Sequence, residues 1–160
     1  MYVHGAGKHS NKGSIHIGSN DQGNSPINPR IDVIGVVVHE DGSANEDPSF
    51  TNTGTIKIYE KMGGATGILL DGSNNIVENK GDIEILGKGG DRNIGISFAG
   101  NIGNKVTNTA NIIVKGKNNI GVHSFATNKH SYENLFLNTD KSSIQVHAAE
   151  EGGSPNYGVW

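Results

Sequence analysis

The chain has no cysteine, so neither a disulfide framework nor a thiolate metal site holds it together. Proline is scarce, at four residues, and aromatic residues make up 6%, which leaves few large pieces for a core. There is no excess of basic charge: 13 Lys and Arg stand against 16 Asp and Glu, a formal charge of −3. That excludes the electrostatic footprint of a nucleic-acid binder. No apolar run reaches the length that spans a membrane as a helix. The start, Met1-Tyr2-Val3-His4-Gly5, lacks a basic region followed by an apolar stretch, so no signal peptide is read there.

What is abundant is glycine, asparagine and isoleucine, at 24, 20 and 18 of 160 residues. Glycine averages about 7% in globular chains, and here it is roughly twice that. Glycine and asparagine are poor helix formers, which argues against a helical bundle. The isoleucines argue against disorder, because a chain this rich in them has surface to bury. The length suits one domain.

The three residue types fall into two interleaved repeats. The first reads apolar-x-Asn-x-Gly-x-Ile-x-Ile. It appears as Phe50-Thr-Asn52-Thr-Gly54-Thr-Ile56-Lys-Ile58, as Val77-Glu-Asn79-Lys-Gly81-Asp-Ile83-Glu-Ile85, and as Val106-Thr-Asn108-Thr-Ala110-Asn-Ile112-Ile-Val114. An earlier copy is Asn11-Lys-Gly13-Ser-Ile15-His-Ile17, and a looser one runs from Phe136 and Asn138 to Ile144 and Val146. The second reads Gly-Ile/Val-x-apolar, at Gly35, Gly67, Gly95, Gly121 and Gly158. Gly54, Gly81 and Ala110 are 27 and 29 residues apart; Gly67, Gly95 and Gly121 are 28 and 26 apart.

Both motifs alternate with a period of two and are bounded by Gly, Asn, Asp and Ser, so they read as strands joined by turns. A shared period of this size is the mark of a solenoid. The pattern predicts an all-β fold, a right-handed parallel β-helix with three sides and about five rungs. Stacked about 4.8 Å apart, five rungs make a rod section about 24 Å long.

Parity then assigns faces. Ile15, Ile56, Ile83, Ile112 and Ile144 form one inward column, and Ile17, Ile58, Ile85, Val114 and Val146 the next. Val36, Ile68, Ile96, Val122 and Val159 line the third face. Asn11, Asn52, Asn79, Asn108 and Asn138 share the inward side, where an unpaired amide costs about 1–3 kcal/mol. One amide per rung can donate to the next, giving a structural ladder; the alternative is a ligand-binding row. The glycines beside the ladder serve either a bend with positive φ or a side chain arriving from across the interior, and Ala110 favours the second. A phosphate cradle would need a strand leading into a helix.

The outward column of the third face reads Val37, Leu69, Ser97, His123 and Trp160, so Val37, Leu69, His123 and Trp160 are a candidate contact surface. Lys57 and Glu84 share another outward column and can pair. The long turns, from Gly18 to Val33, Glu40 to Ser49 and Thr127 to Asn134, are where solenoids place recognition. For catalysis, Asp41-Gly-Ser against Asp71-Gly-Ser would bring two carboxyls about 5 Å apart on adjacent rungs, a glycosidase-like separation. Asp-Gly-Ser is also ordinary turn chemistry. The seven histidines show no metal-ligand spacing, and no cofactor motif is read.

Asn-x-Gly-x-Ile-x-Ile alternating with Gly-Ile-x-Leu resembles the passenger repeats of Gram-negative autotransporter proteins, the large repetitive adhesins above all. The resemblance covers nearly the whole chain; phage tailspikes and filamentous-haemagglutinin-like adhesins use similar solenoids. It implies export through a C-terminal β-barrel, exposure at the bacterial surface, and adhesion, aggregation or toxin delivery; the uniform repeat with no polar constellation adds the expectation of no catalysis. The implied partners are adjacent rungs of the parent passenger and a host or bacterial surface protein or glycan. No functional residue carries over, because these repeats are structural. The sequence departs from the family in having no signal peptide and no translocator of alternating strands. Both ends cut into a repeat, so residues 1–160 are expected to be one β-helix segment of a longer passenger. The competing expectation is a carbohydrate-active β-helix, a polysaccharide lyase or tailspike glycosidase.

Overall fold

The structure is a computed structural model, and it describes residues 1–4, 7–18, 33–39, 49–59, 64–86, 92–99, 102–125, 133–148 and 156–160. Among these residues there are sixteen strands and no helix. The first sheet stacks β1 (Tyr2–His4), β4 (Val33–His39), β7 (Ala65–Leu70), β10 (Ile94–Ala99), β13 (Ile120–Phe125) and β16 (Tyr157–Val159). The second stacks β2 (His9–Asn11), β5 (Phe50–Asn52), β8 (Ile76–Asn79), β11 (Lys105–Asn108) and β14 (Leu135–Asn138). The third stacks β3 (Ser14–Ile17), β6 (Thr55–Ile58), β9 (Ile83–Ile85), β12 (Asn111–Gly116) and β15 (Ser143–Ala148). The chain visits the three sheets in turn, and neighbouring strands within each are parallel. This is a three-sided parallel β-helix of five coils plus one strand.

The register follows the repeat. Ile15, Ile56, Ile83, Ile112 and Ile144 are level across five strands. Ile56, Ile58, Ile83, Ile85, Ile112 and Val114 are fully enclosed, and burying each such side chain contributes roughly 1.5–3 kcal/mol. Phe50, Val77 and Val106 face them from the second sheet, and Val36, Ile68 and Ile96 from the first.

The strands of the first sheet change face partway along. In β7, Ala65 and Gly67 are buried, and so are Ile68 and Leu70; β10 repeats this at Gly95 and Ile96. Strict alternation would turn one of each pair outward. Glycine permits the shift because the space beside it is already taken. A Cβ on Gly67 would lie 2.5 Å from the Gly95 carbonyl oxygen and 2.5 Å from Ile83 Cγ2. Gly35, Gly95 and Gly121 face Ile56, Ile112 and Ile144 in the same way.

The glycines beside the asparagine ladder have a different cause. A Cβ on Gly54 would run into the backbone carbonyl of Gly13, and one on Gly81 into that of Gly54. Neither glycine has positive φ. The constraint is backbone stacked on backbone, not a bend and not a side chain from across the interior. The crossing side chain belongs to the other glycine column.

Candidate functional site

The asparagine column is a continuous chain of side-chain amides. Asn11 Nδ2 donates to Asn52 Oδ1 at 2.9 Å, Asn52 to Asn79 at 2.8 Å, Asn79 to Asn108 at 2.7 Å, and Asn108 to Asn138 at 2.8 Å. The second amide hydrogens find carbonyls: Asn52 Nδ2 reaches Gly81 O at 3.3 Å, and Asn108 Nδ2 reaches Ala110 O at 2.8 Å. Asn52, Asn79 and Asn108 are wholly buried. Their hydrogen-bonding capacity is directed to each other and to the backbone.

Two more amide columns occupy the other corners, and the repeat pattern had not singled them out. Asn75 donates its backbone N–H to Asn104 Oδ1 at 2.9 Å, and Asn104 does the same to Asn134 at 3.0 Å. At the third corner the Ala65 N–H donates to Asn93 Oδ1 at 3.0 Å, and the Asn119 N–H to Asn156 Oδ1 at 2.8 Å. A left-handed residue precedes many of these asparagines. Asn74, Arg92, Asn118 and Glu133 have φ of 60°, 62°, 51° and 70°, and Gly103 has φ of 74°. That residue turns the chain, and the asparagine after it ties the corner to the coil before. The signal was present in sequence as an Asn two residues before Gly95, Gly121 and Gly158, and two before Val77, Val106 and Phe136.

The proposed contact strip is not one open face. Val37 and Leu69 are half-buried, and Ser97 and His123 are only 7% and 8% exposed, whereas Trp160 is 64% exposed. The strip closes at His123 because Trp160 stacks on it, with ring centroids 5.1 Å apart and planes 9° from parallel. Burial lowers the His123 pKa below the usual histidine value. Tyr157 also stacks on Trp160, with ring centroids 5.7 Å apart. At the opposite end Tyr2, 63% exposed, continues the same column.

Asp71 is half-exposed, and its Oδ2 lies 3.4 Å from His39 Nδ1. The register sets Val38 level with Leu70, so His39 stands beside Asp71. Asp41 and nearly all of the three long turns lie outside the described residues. Lys57 and Glu84 pair at 2.7 Å on the third sheet, and this contact raises the Lys57 pKa. Among the described residues no three His, Asp or Glu side chains are gathered as ligands for one metal ion. No described helix is long and apolar enough to cross a membrane.

Three parallel sheets, an apolar interior and amide columns at the corners define a parallel β-helix of the pectate-lyase-like class. Within it, the chain belongs to the family of the BigA third pectate lyase-like domain, whose model matches residues 1–100. The match takes in β1 to β10. The same columns run on through Asn108 and Asn138 beyond it. No curated protein and no solved structure matches the chain.

Proposed function

We propose that this chain is a structural and adhesive segment of an autotransporter-type passenger displayed on the bacterial surface, with no catalysis of its own. The observation that carries the reading is the amide ladder. The ladder side chains from Asn11 to Asn138 bond to one another and to the backbone, so among the described residues this column offers no convergent polar set to a substrate. The partners of such a segment are further coils of its parent passenger and a surface protein or glycan met by the outer faces and turns.

A carbohydrate-active reading draws on the Asp71–His39 contact and on the pectate-lyase-like family. Incubation with a panel of acidic and neutral polysaccharides separates the two. No new reducing ends or unsaturated products are expected. Reproducible cleavage that disappears in Asp71→Asn would replace the structural reading with the enzymatic one.

A further inference from the structure

The outer face of the third sheet carries a hydrogen-bonded polar network. One column of it reads Ser14, Thr55, Asp82, Asn111 and Ser143, one residue per coil beside the inward isoleucines. Asn111 gives Asp82 Oδ1 two bonds, from its backbone N–H at 3.0 Å and from Nδ2 at 3.2 Å. Ser143 Oγ donates to Asn111 Oδ1 at 2.8 Å, and Gln145 Nε2 donates to Ser143 Oγ at 3.2 Å. These bonds fix the side chains without exhausting them. Asp82 keeps a second carboxylate oxygen and Asn111 a second amide hydrogen. Gln145 keeps its carbonyl oxygen and a second amide hydrogen. Asp82, Asn111 and Ser143 are half-buried, and Gln145 is exposed. In the neighbouring outward column Lys57 and Glu84 pair at 2.7 Å, so their charges cancel. The corner that leads into this sheet has only two to four residues in each coil, so no long turn rises beside the network on that side.

We propose that this face binds a neutral glycan, a chain of sugar rings lying along the rod and hydrogen-bonded by Asp82, Asn111 and Gln145. A sugar hydroxyl both donates and accepts, so one kind of group satisfies the spare carboxylate oxygen and the spare amide hydrogens together. An acidic glycan would meet Asp82 and Glu84 and find Lys57 already engaged. An apolar partner would strand the polar groups without hydrogen bonds. Outward positions recur once per coil, about 4.8 Å apart. A polymer therefore meets the face at several coils, and weak contacts add along its length. The inference rests on the adhesive reading and gives it a ligand class and a face.

The test is retention of the full chain on insoluble cellulose, chitin, immobilised mannan and immobilised β-glucan, with immobilised polygalacturonate as the acidic comparison. Retention on at least one neutral polymer is expected. High salt should leave it in place, since salt screens charge and the contacts are hydrogen bonds to uncharged hydroxyls. Gln145→Leu removes exposed hydrogen-bonding groups without entering the core and should weaken retention about tenfold. Asp82→Ala should weaken it further, because it also releases Asn111. Lys105→Ala, at an exposed position on the second sheet, should change nothing. Circular dichroism of each variant shows whether the β-fold is kept. A folded chain that no neutral polymer retains, retention on polygalacturonate alone, or equal retention of wild type and Gln145→Leu would overturn the proposal. Binding of the wild-type chain to intact bacterial and animal cells then separates the two readings. Cell binding without retention on a neutral polymer leaves the adhesive reading standing, and no binding to cells or polymers overturns both.

Discussion

Ile83 and Ile15 occupy the same inward column, yet Ile83 is fully enclosed and Ile15 is only half-buried. The difference is position along the stack. Ile83 has a coil on either side, and Ile15 belongs to the first. The far end repeats the contrast. Val122 is 2% exposed, while Val159, its register partner in β16, is 63% exposed. Asn79 is wholly buried in the ladder, and Asn138 at its end is exposed. Identical residues in identical columns thus differ in burial, because a solenoid coil is covered only by its neighbours. In residues 1–160 taken by themselves, stability should be graded from the middle outward.

The largest test of that gradient is Ile83→Ala against Ile15→Ala. The first should cost about 2–5 kcal/mol, the range for emptying a closed core site. The second should cost less than half as much, since Ile15 starts partly in water. Urea midpoints followed by circular dichroism give both values. Equal losses would break the comparison.

A smaller contrast lies in the ladder. Asn79→Ala removes the acceptor of Asn52 Nδ2 and the donor to Asn108 Oδ1, both in the buried interior. Its expected cost is about 1–3 kcal/mol. Asn138→Ala removes a single ladder bond at an exposed end and should fall within about 0.5 kcal/mol of wild type. An unchanged melting temperature in Asn79→Ala would remove the ladder from the account of stability.

The smallest effect concerns pH at the last strand. Burial holds the His123 pKa below its unfolded value. Between those two values the unfolded chain binds more protons than the folded one, so stability falls as pH drops through that window. Above the ordinary histidine pKa of about 6.5 the group has no effect. Trp160, the only tryptophan, stacks on His123 and reports the titration by its fluorescence. The midpoint should lie below 6.5, and a midpoint at or above it would contradict burial as the cause.

The architecture was legible because its signal is periodic. Asn52, Asn79 and Asn108 recur beside Ile56, Ile83 and Ile112 at nearly constant spacing, and alternation alone sends both inward. The ladder was readable for the same reason. What stayed hidden was whatever the period did not measure. Asn75, Asn104, Asn93 and Asn119 resembled ordinary turn residues, since turns and corner columns draw on the same amino acid. The two glycine columns looked equivalent, but one accommodates a carbonyl and the other a methyl group as well. Parity assigned His123 to the outward column, yet it could not show that Trp160, from another coil, would cover it.

The ladder has a bearing on how such a chain changes over time. Its successive members are separated by 41, 27, 29 and 30 residues, yet the bonds between them span only 2.7–2.9 Å. The long interval differs from the others by more than ten residues, and the interior does not register it. Insertions and deletions at the turns are therefore silent to the core, while a one-residue slip within a strand would turn its whole aliphatic face to water. The fold separates what packing constrains from what can change in length, and leaves room for new sequence between strands on an unaltered frame.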